Sequence, residues 1–146
     1  MKISSPAFED NEPIPHKYSG EGQNINPPLT FSDIPKETKT LALIVDDPDA
    51  PMGTFTHWVC WNIDPNIDSI LEGESPGGKQ GFNGRGAVGY TGPYPPSGIH
   101  HYHFKLYALS KLLDLSENVS KENLEEEIDK YLIDKAETIG TYTRFP

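Results

Sequence analysis

Three ionisable residues, Asp47, His57 and His100, each stand at the end of an apolar run in the sequence. Two imidazoles beside a carboxylate can be held partly protonated, and protonated ring N–H groups donate to phosphate or carboxylate oxygens. The carboxylate can orient one ring or accept from a ligand ammonium. This set predicts an anion-receiving pocket. One rival is hydrolysis by a histidine–aspartate pair, which needs an activated nucleophile. No serine sits in a Gly-x-Ser-x-Gly elbow, so Ser97, beside Gly98, is the nominal candidate. The other rival is a metal site in His100-His101-Tyr102-His103, since a surface His-x-His pair can take up zinc. Cys60 lies in Trp58-Val59-Cys60-Trp61, an apolar run that predicts a buried, inert thiol.

Three strands must bring these residues together. Residues 40–45 are apolar on both faces and read as a central strand. That strand runs into Asp46-Asp47-Pro48, where proline removes a ladder donor and pairing should stop. Residues 57–63 form a second strand, closed by Asp64-Pro65-Asn66, and residues 100–109 a third. Side chains alternate along a strand. Leu41, Leu43, Val45 and Asp47 therefore share a face, as do His57, Val59, Trp61 and Ile63. His100, Tyr102, Phe104, Leu106 and Ala108 form the third row, and Tyr102 adds a hydroxyl. If the first strand is antiparallel to the other two, Asp47, His57 and His100 meet at one sheet edge. This holds unless a β-bulge flips a face. Alternation sends His101, His103 and Lys105 to the other side.

The connections frame that edge. Residues 48–56 form one loop. Residues 72–99 form a long Gly- and Pro-rich loop, a length that points to function or disorder. Residues 1–39 read as short extended pieces and turns. One helix is expected over 120–136, with Ser120 as N-cap and Leu124, Ile128, Leu132 and Ala136 as its apolar stripe. Glu126 and Lys130 have i,i+4 spacing, and Glu125 to Glu127 read as a solvated face. Ile139 to Phe145 reads as a last strand.

Composition sets the bounds. With 146 residues, 13 glycines and 14 prolines, the chain reads as one domain over 1–146 with many turns and short strands. No apolar stretch approaches the roughly 20 residues of a spanning helix, so no stable membrane insertion is expected. Met1 to Pro6 has no apolar signal-peptide region. A single cysteine suits a cytoplasmic setting. The net charge of −10 repels phosphate backbones, which argues against nucleic acid and anionic membranes as bulk partners. No cofactor or metal is called for.

The chain resembles the phosphatidylethanolamine-binding protein family, which includes the Raf kinase inhibitor proteins. The resemblance is carried by Asp47-Pro48-Asp49-Ala50-Pro51, His57-Trp58 and Gly92-Pro93-Tyr94-Pro95-Pro96-Ser97-Gly98-Ile99-His100-His101-Tyr102. Asn26-Pro27-Pro28-Leu29 and Gly140-Thr141-Tyr142-Thr143-Arg144 support it. The length and the ending resemble the bacterial and archaeal branch. The resemblance implies a mainly β fold, a Greek-key β-sandwich with one or two peripheral helices. It also implies a non-enzymatic binder of small phosphorylated or carboxylated ligands, with phosphate or phosphoethanolamine-like head groups. The implied lining is Asp47, Asp49, His57, Gly92, Pro93, His100 and Tyr102, with Ala50-Pro51 as a candidate cis peptide at the rim. Eukaryotic members regulate kinases and proteases, which makes such a protein partner an expectation here, and a homodimer stays open. Three positions depart from the family pattern: His101 for a common arginine, Tyr94 for a frequent bacterial cysteine, and Phe31 for a frequent tryptophan.

Overall fold

A computed structural model describes residues 1–144; Phe145, the expected end of the last strand, lies outside the described residues. Nine strands form two sheets. The smaller sheet joins β1 (Lys2–Ser4), β3 (Leu29–Ser32) and β6 (Ser69–Ile70) in the order β1-β3-β6. The larger joins β2 (Glu12–Pro13), β4 (Thr40–Asp47), β5 (Phe55–Ile63), β7 (Lys79–Gln80), β8 (Ile99–Leu109) and β9 (Leu132–Thr143). Its order is β2-β9-β8-β4-β5-β7, so the chain crosses from β5 to the far side of β4 before laying down β8. One α-helix, α1 (Lys121–Tyr131), connects β8 to β9, and a 3-10 turn spans His16–Tyr18.

Strand β4 is buried along its whole length because both faces of the large sheet are covered. Leu41, Leu43 and Val45 join Trp58, Cys60, Phe104 and Leu106 against Leu29, Phe31 and Ile70 of the small sheet. Ala42 and Ile44 face the other way, with Val59 and Trp61, against Leu124 and Ile128 of α1. Runs apolar on both faces therefore report a sheet packed on both sides.

Two expectations need correction. First, the helix ends at Tyr131, not at residue 136. Ser120 does cap it, accepting from Asn123 N–H at 3.1 Å. However, Leu132 turns extended, and residues 132–137 of β9 pair with β8 instead. The four-residue repeat runs on to Ala136, but β8 presents a ladder of backbone groups that only a strand can satisfy. Lys130 pairs with Glu127 at 2.8 Å rather than with Glu126. Second, Val59 and Trp61 do not share the inward face with His57 and Ile63. Two bulges in β5 rearrange it. Trp61 and Asn62 together oppose Ala42, with Asn62 at φ 55°, and His57 is an extra residue between the pairs Val45–Trp58 and Asp46–Thr56.

Candidate ligand-binding site

The bulge at His57 shapes the site. It turns His57 to the same side as Trp58, toward the inward row that Asp47 ends. Strand β4 pairs antiparallel with both β5 and β8, so Asp47, His57 and His100 reach one edge as expected. A cavity of about 140 Å³ opens there, lined by Asp47, Phe55, His57, His100 and Tyr102 from the strands. Ala50 and Pro51 supply the β4–β5 side, while Arg85, Gly92, Tyr94, Pro95 and Pro96 supply the long loop's side. This volume is below the roughly 300–1,000 Å³ that encloses a drug-sized ligand.

The polar atoms divide into those already bonded and those left facing the cavity. His100 Nδ1 lies 2.6 Å from Asp47 Oδ2, and Asp47 Oδ1 accepts from Asp49 N–H at 2.8 Å. Both carboxylate oxygens are thus held by the protein, and the His100 ring is oriented with Nε2 turned away from Asp47. His57 Nδ1 bonds the Thr91 carbonyl at 2.7 Å, so that nitrogen carries the hydrogen and Nε2 is the acceptor. Burial pushes the His57 pKa below the ordinary histidine value, outweighing the opposing effects of Thr91 and Asp47. Only one imidazole therefore has the carboxylate partner, and the expectation of two partly protonated rings is corrected to a neutral His57. Its ring stands edge-on to Tyr102, centroids 5.0 Å apart. Burial, reinforced by the Asp47 and Asp49 charges, raises the Tyr102 pKa, so its hydroxyl keeps its proton and is a donor. Tyr102 is 1% exposed, and its Oη makes no hydrogen bond to any described residue.

The remaining expected site residues fare differently. Asp49 does not line the cavity. Its Oδ2 accepts from His101 N–H at 2.9 Å and lies 2.8 Å from His101 Nδ1, an exposed pair whose hydrogen bond lowers the Asp49 pKa. Gly92 lines the cavity, but its N–H is bonded to Asn24 Oδ1 at 2.6 Å. A Cβ there would lie 2.3 Å from the Tyr18 carbonyl oxygen, so only glycine allows this approach. Pro93 sits behind the lining, and its carbonyl accepts from Gly20 N–H at 2.8 Å. Among the described residues no peptide bond is cis, which overturns the expectation for Ala50-Pro51. His103 faces Glu137 on the opposite side, and Ser97 is exposed outside the lining. Among the described residues, no three His, Cys, Asp or Glu side chains are grouped to hold a metal.

Arg85 and Phe55 are lining residues that sequence reasoning missed. The long loop is not structureless. Gly81, Gly84 and Thr91 N–H groups bond the carbonyls of Val59, Thr56 and His57, which stitches the loop along β5. Buried Asn83 builds the tip: its Oδ1 accepts from Arg85 N–H at 2.9 Å, and its Nδ2 donates to the Gly89 carbonyl at 2.9 Å. That turn presents Arg85 to the cavity. The available signal was compositional, since an acidic chain has only two arginines and one stands in Asn-Gly-Arg-Gly.

Comparison with known proteins agrees with this fold. Residues 4–143 match the sequence profile of the phosphatidylethanolamine-binding protein family. A UPF0098 protein of Methanothermobacter thermautotrophicus is 45% identical over 150 residues, covering 99% of each chain. One from Chlamydia trachomatis is 44% identical, again over 99% of each. Among solved structures, the phosphatidylethanolamine-binding protein homologue CT736 of Chlamydia trachomatis superposes with a TM-score of 0.95 at 43% identity, covering 99% of this chain and 97% of that one. YbcL of E. coli gives 0.91 at 30% identity, covering 99% and 98%.

Proposed function

Because the chain belongs to the phosphatidylethanolamine-binding protein family, we propose that it is a non-enzymatic binding protein for small phosphorylated or carboxylated ligands. The observation that carries this reading is the protonated Tyr102 hydroxyl, which bonds no described residue and faces a cavity whose other polar edges are His100 Nε2, His57 Nε2 and Arg85. A ligand oxyanion gives that donor an acceptor, a charge-assisted hydrogen bond of roughly 1.5–3 kcal/mol. His100 in its protonated form donates from Nε2, Arg85 supplies positive charge, and neutral His57 accepts from a protonated ligand oxygen. Asp47 acts by orienting His100. Cys60 lies in the core, with its thiol pKa pushed well up by burial, and Ser97 stands outside the lining, so neither favours hydrolysis. The single buried thiol suits a reducing compartment such as the cytoplasm. Regulation of a kinase or protease partner is part of the proposal only through the family.

A phosphorus NMR titration with inorganic phosphate and phosphoethanolamine tests the reading. Saturable binding at millimolar ligand, lost in His100→Ala, is the expected result. No saturable binding to the wild type would sink it.

A further inference from the structure

The chain has two arginines against ten lysines, and both arginines lie on one ring. Arg85 Cζ is 5.9 Å from the Tyr94 ring centroid, and Arg144 Cζ is 4.2 Å from it. Arg144 Nη2 also donates to Tyr94 Oη at 2.8 Å. Tyr94 and Arg85 line the site's cavity, deep in that Asp47, His57, His100 and Tyr102 are buried, and also one of about 290 Å³ beside it, shallow in that Gly20, Asn24, Arg85 and Tyr94 are exposed and only Thr91 is buried. The two cavities are therefore neighbours with a shared wall.

Among the described residues, five of the ten lysines, Lys2, Lys17, Lys105, Lys121 and Lys130, reach a carboxylate. Among the described residues, neither Arg85 nor Arg144 has a carboxylate within the 4.0 Å of an ion pair. In a chain of net charge −10, two guanidinium groups on the one Tyr94 ring, neither in an ion pair among the described residues, repel each other. An anion beside Arg85 offsets that repulsion. The guanidinium fork matches a carboxylate in two-point hydrogen bonding, and none of the five residues around the shallow cavity is acidic.

We propose that the shallow cavity is a second anion subsite with Arg85 as its contact residue, so that the ligand carries two anionic groups, a phosphate and a carboxylate on a short carbon frame. This rests on the reading of the deep cavity as the phosphate site. Arg144 is a positioning residue: it lies over the Tyr94 ring, donates to its hydroxyl and adds positive charge there.

O-phosphoserine and phosphoethanolamine differ by one carboxylate, which makes them the decisive pair of probes. Calorimetric titration at fixed ionic strength should show O-phosphoserine binding about tenfold tighter, the effect of one charge-assisted hydrogen-bonded contact. Arg85→Gln should bring the two affinities together. Arg144→Gln should narrow the ratio, and Arg144→Lys should restore part of it. Equal affinities in the wild type, or an unchanged ratio in Arg85→Gln, would overturn the proposal while leaving the deep cavity's role intact. Failure of inorganic phosphate to bind at all would overturn both. Glycerophosphoserine against glycerophosphoethanolamine separates sources: the same preference there supports a lipid head group, and a preference confined to the monoesters supports a free metabolite.

Discussion

His100 and Asp47 stand 53 residues apart in the chain and are joined through Nδ1 and Oδ2 at 2.6 Å, with both side chains nearly inaccessible to solvent. The pair fixes the ring that offers Nε2 to the cavity. Removing either partner leaves a buried polar group without its counterpart. Asp47→Ala and His100→Ala should therefore each lower stability by about 3 kcal/mol. The double variant should cost at least about 1 kcal/mol less than the sum. Urea unfolding of the four proteins measures this; strict additivity would mean that the contact is energetically idle.

The neutral state of His57 gives the protein a defined pH response. Burial lowers its pKa in the folded state, so the unfolded chain takes up a proton first as pH falls below the ordinary value of about 6.5. Stability is complete above that value and declines below it, at most by about 1.4 kcal/mol per pH unit. Stability of the wild type should fall between pH 7 and 5, with a shallower fall in His57→Gln. The carboxyl groups with lowered pKa values, Asp49, Glu72 and Asp134, lose their contributions only at lower pH. Parallel profiles for the two proteins would contradict the neutral assignment.

How much of this was legible in the sequence depends on the element. The central strand, its end at Pro48 and the meeting of Asp47 with His100 follow from apolar runs and a proline. His57 was placed correctly by a face assignment that was half wrong. Alternation put it with Val59 and Trp61, which pack toward α1, and only the bulge at His57 returns it to the Asp47 side. A bulge is set by backbone pairing with a distant strand and leaves little local trace, although Asn62 is a residue that tolerates positive φ. The overlong helix had a similar cause: the repeat through Ala136 is real, but β8 recruits those residues. Arg85 was missed because its place depends on the turn that Asn83 builds inside a loop without periodicity.

Adjacent residues Asp46 and Asp47 point to opposite sides of β4. Asp46 is 2% exposed and is held at 3.1 Å by both Lys105 and Lys121, tying α1 to the sheet. Asp46→Asn should lower stability by about 2 kcal/mol, less than a fully buried pair because the lysines are partly exposed. Phosphate affinity should stay within about twofold of wild type, since the substitution lies across the sheet from the cavity. A large loss of affinity with unchanged stability would show that the two faces are coupled.

Cys60 is fully buried, and burial raises its thiol pKa well above the ordinary value. The thiolate is the reactive form. The native protein should therefore react with a disulfide reagent no faster than it unfolds, and promptly in denaturant. Fast stoichiometric labelling of the native state would require an exposed thiol.

The most direct measurement is a crystal structure grown with arsenate as a phosphate analogue, read by its anomalous signal. The anion is expected in the deep cavity, within hydrogen-bonding distance of Tyr102 Oη and His100 Nε2, with Arg85 turned toward it. An empty deep cavity at saturating arsenate, or arsenic only at Lys105 and Lys121 on the opposite face, would contradict the assignment.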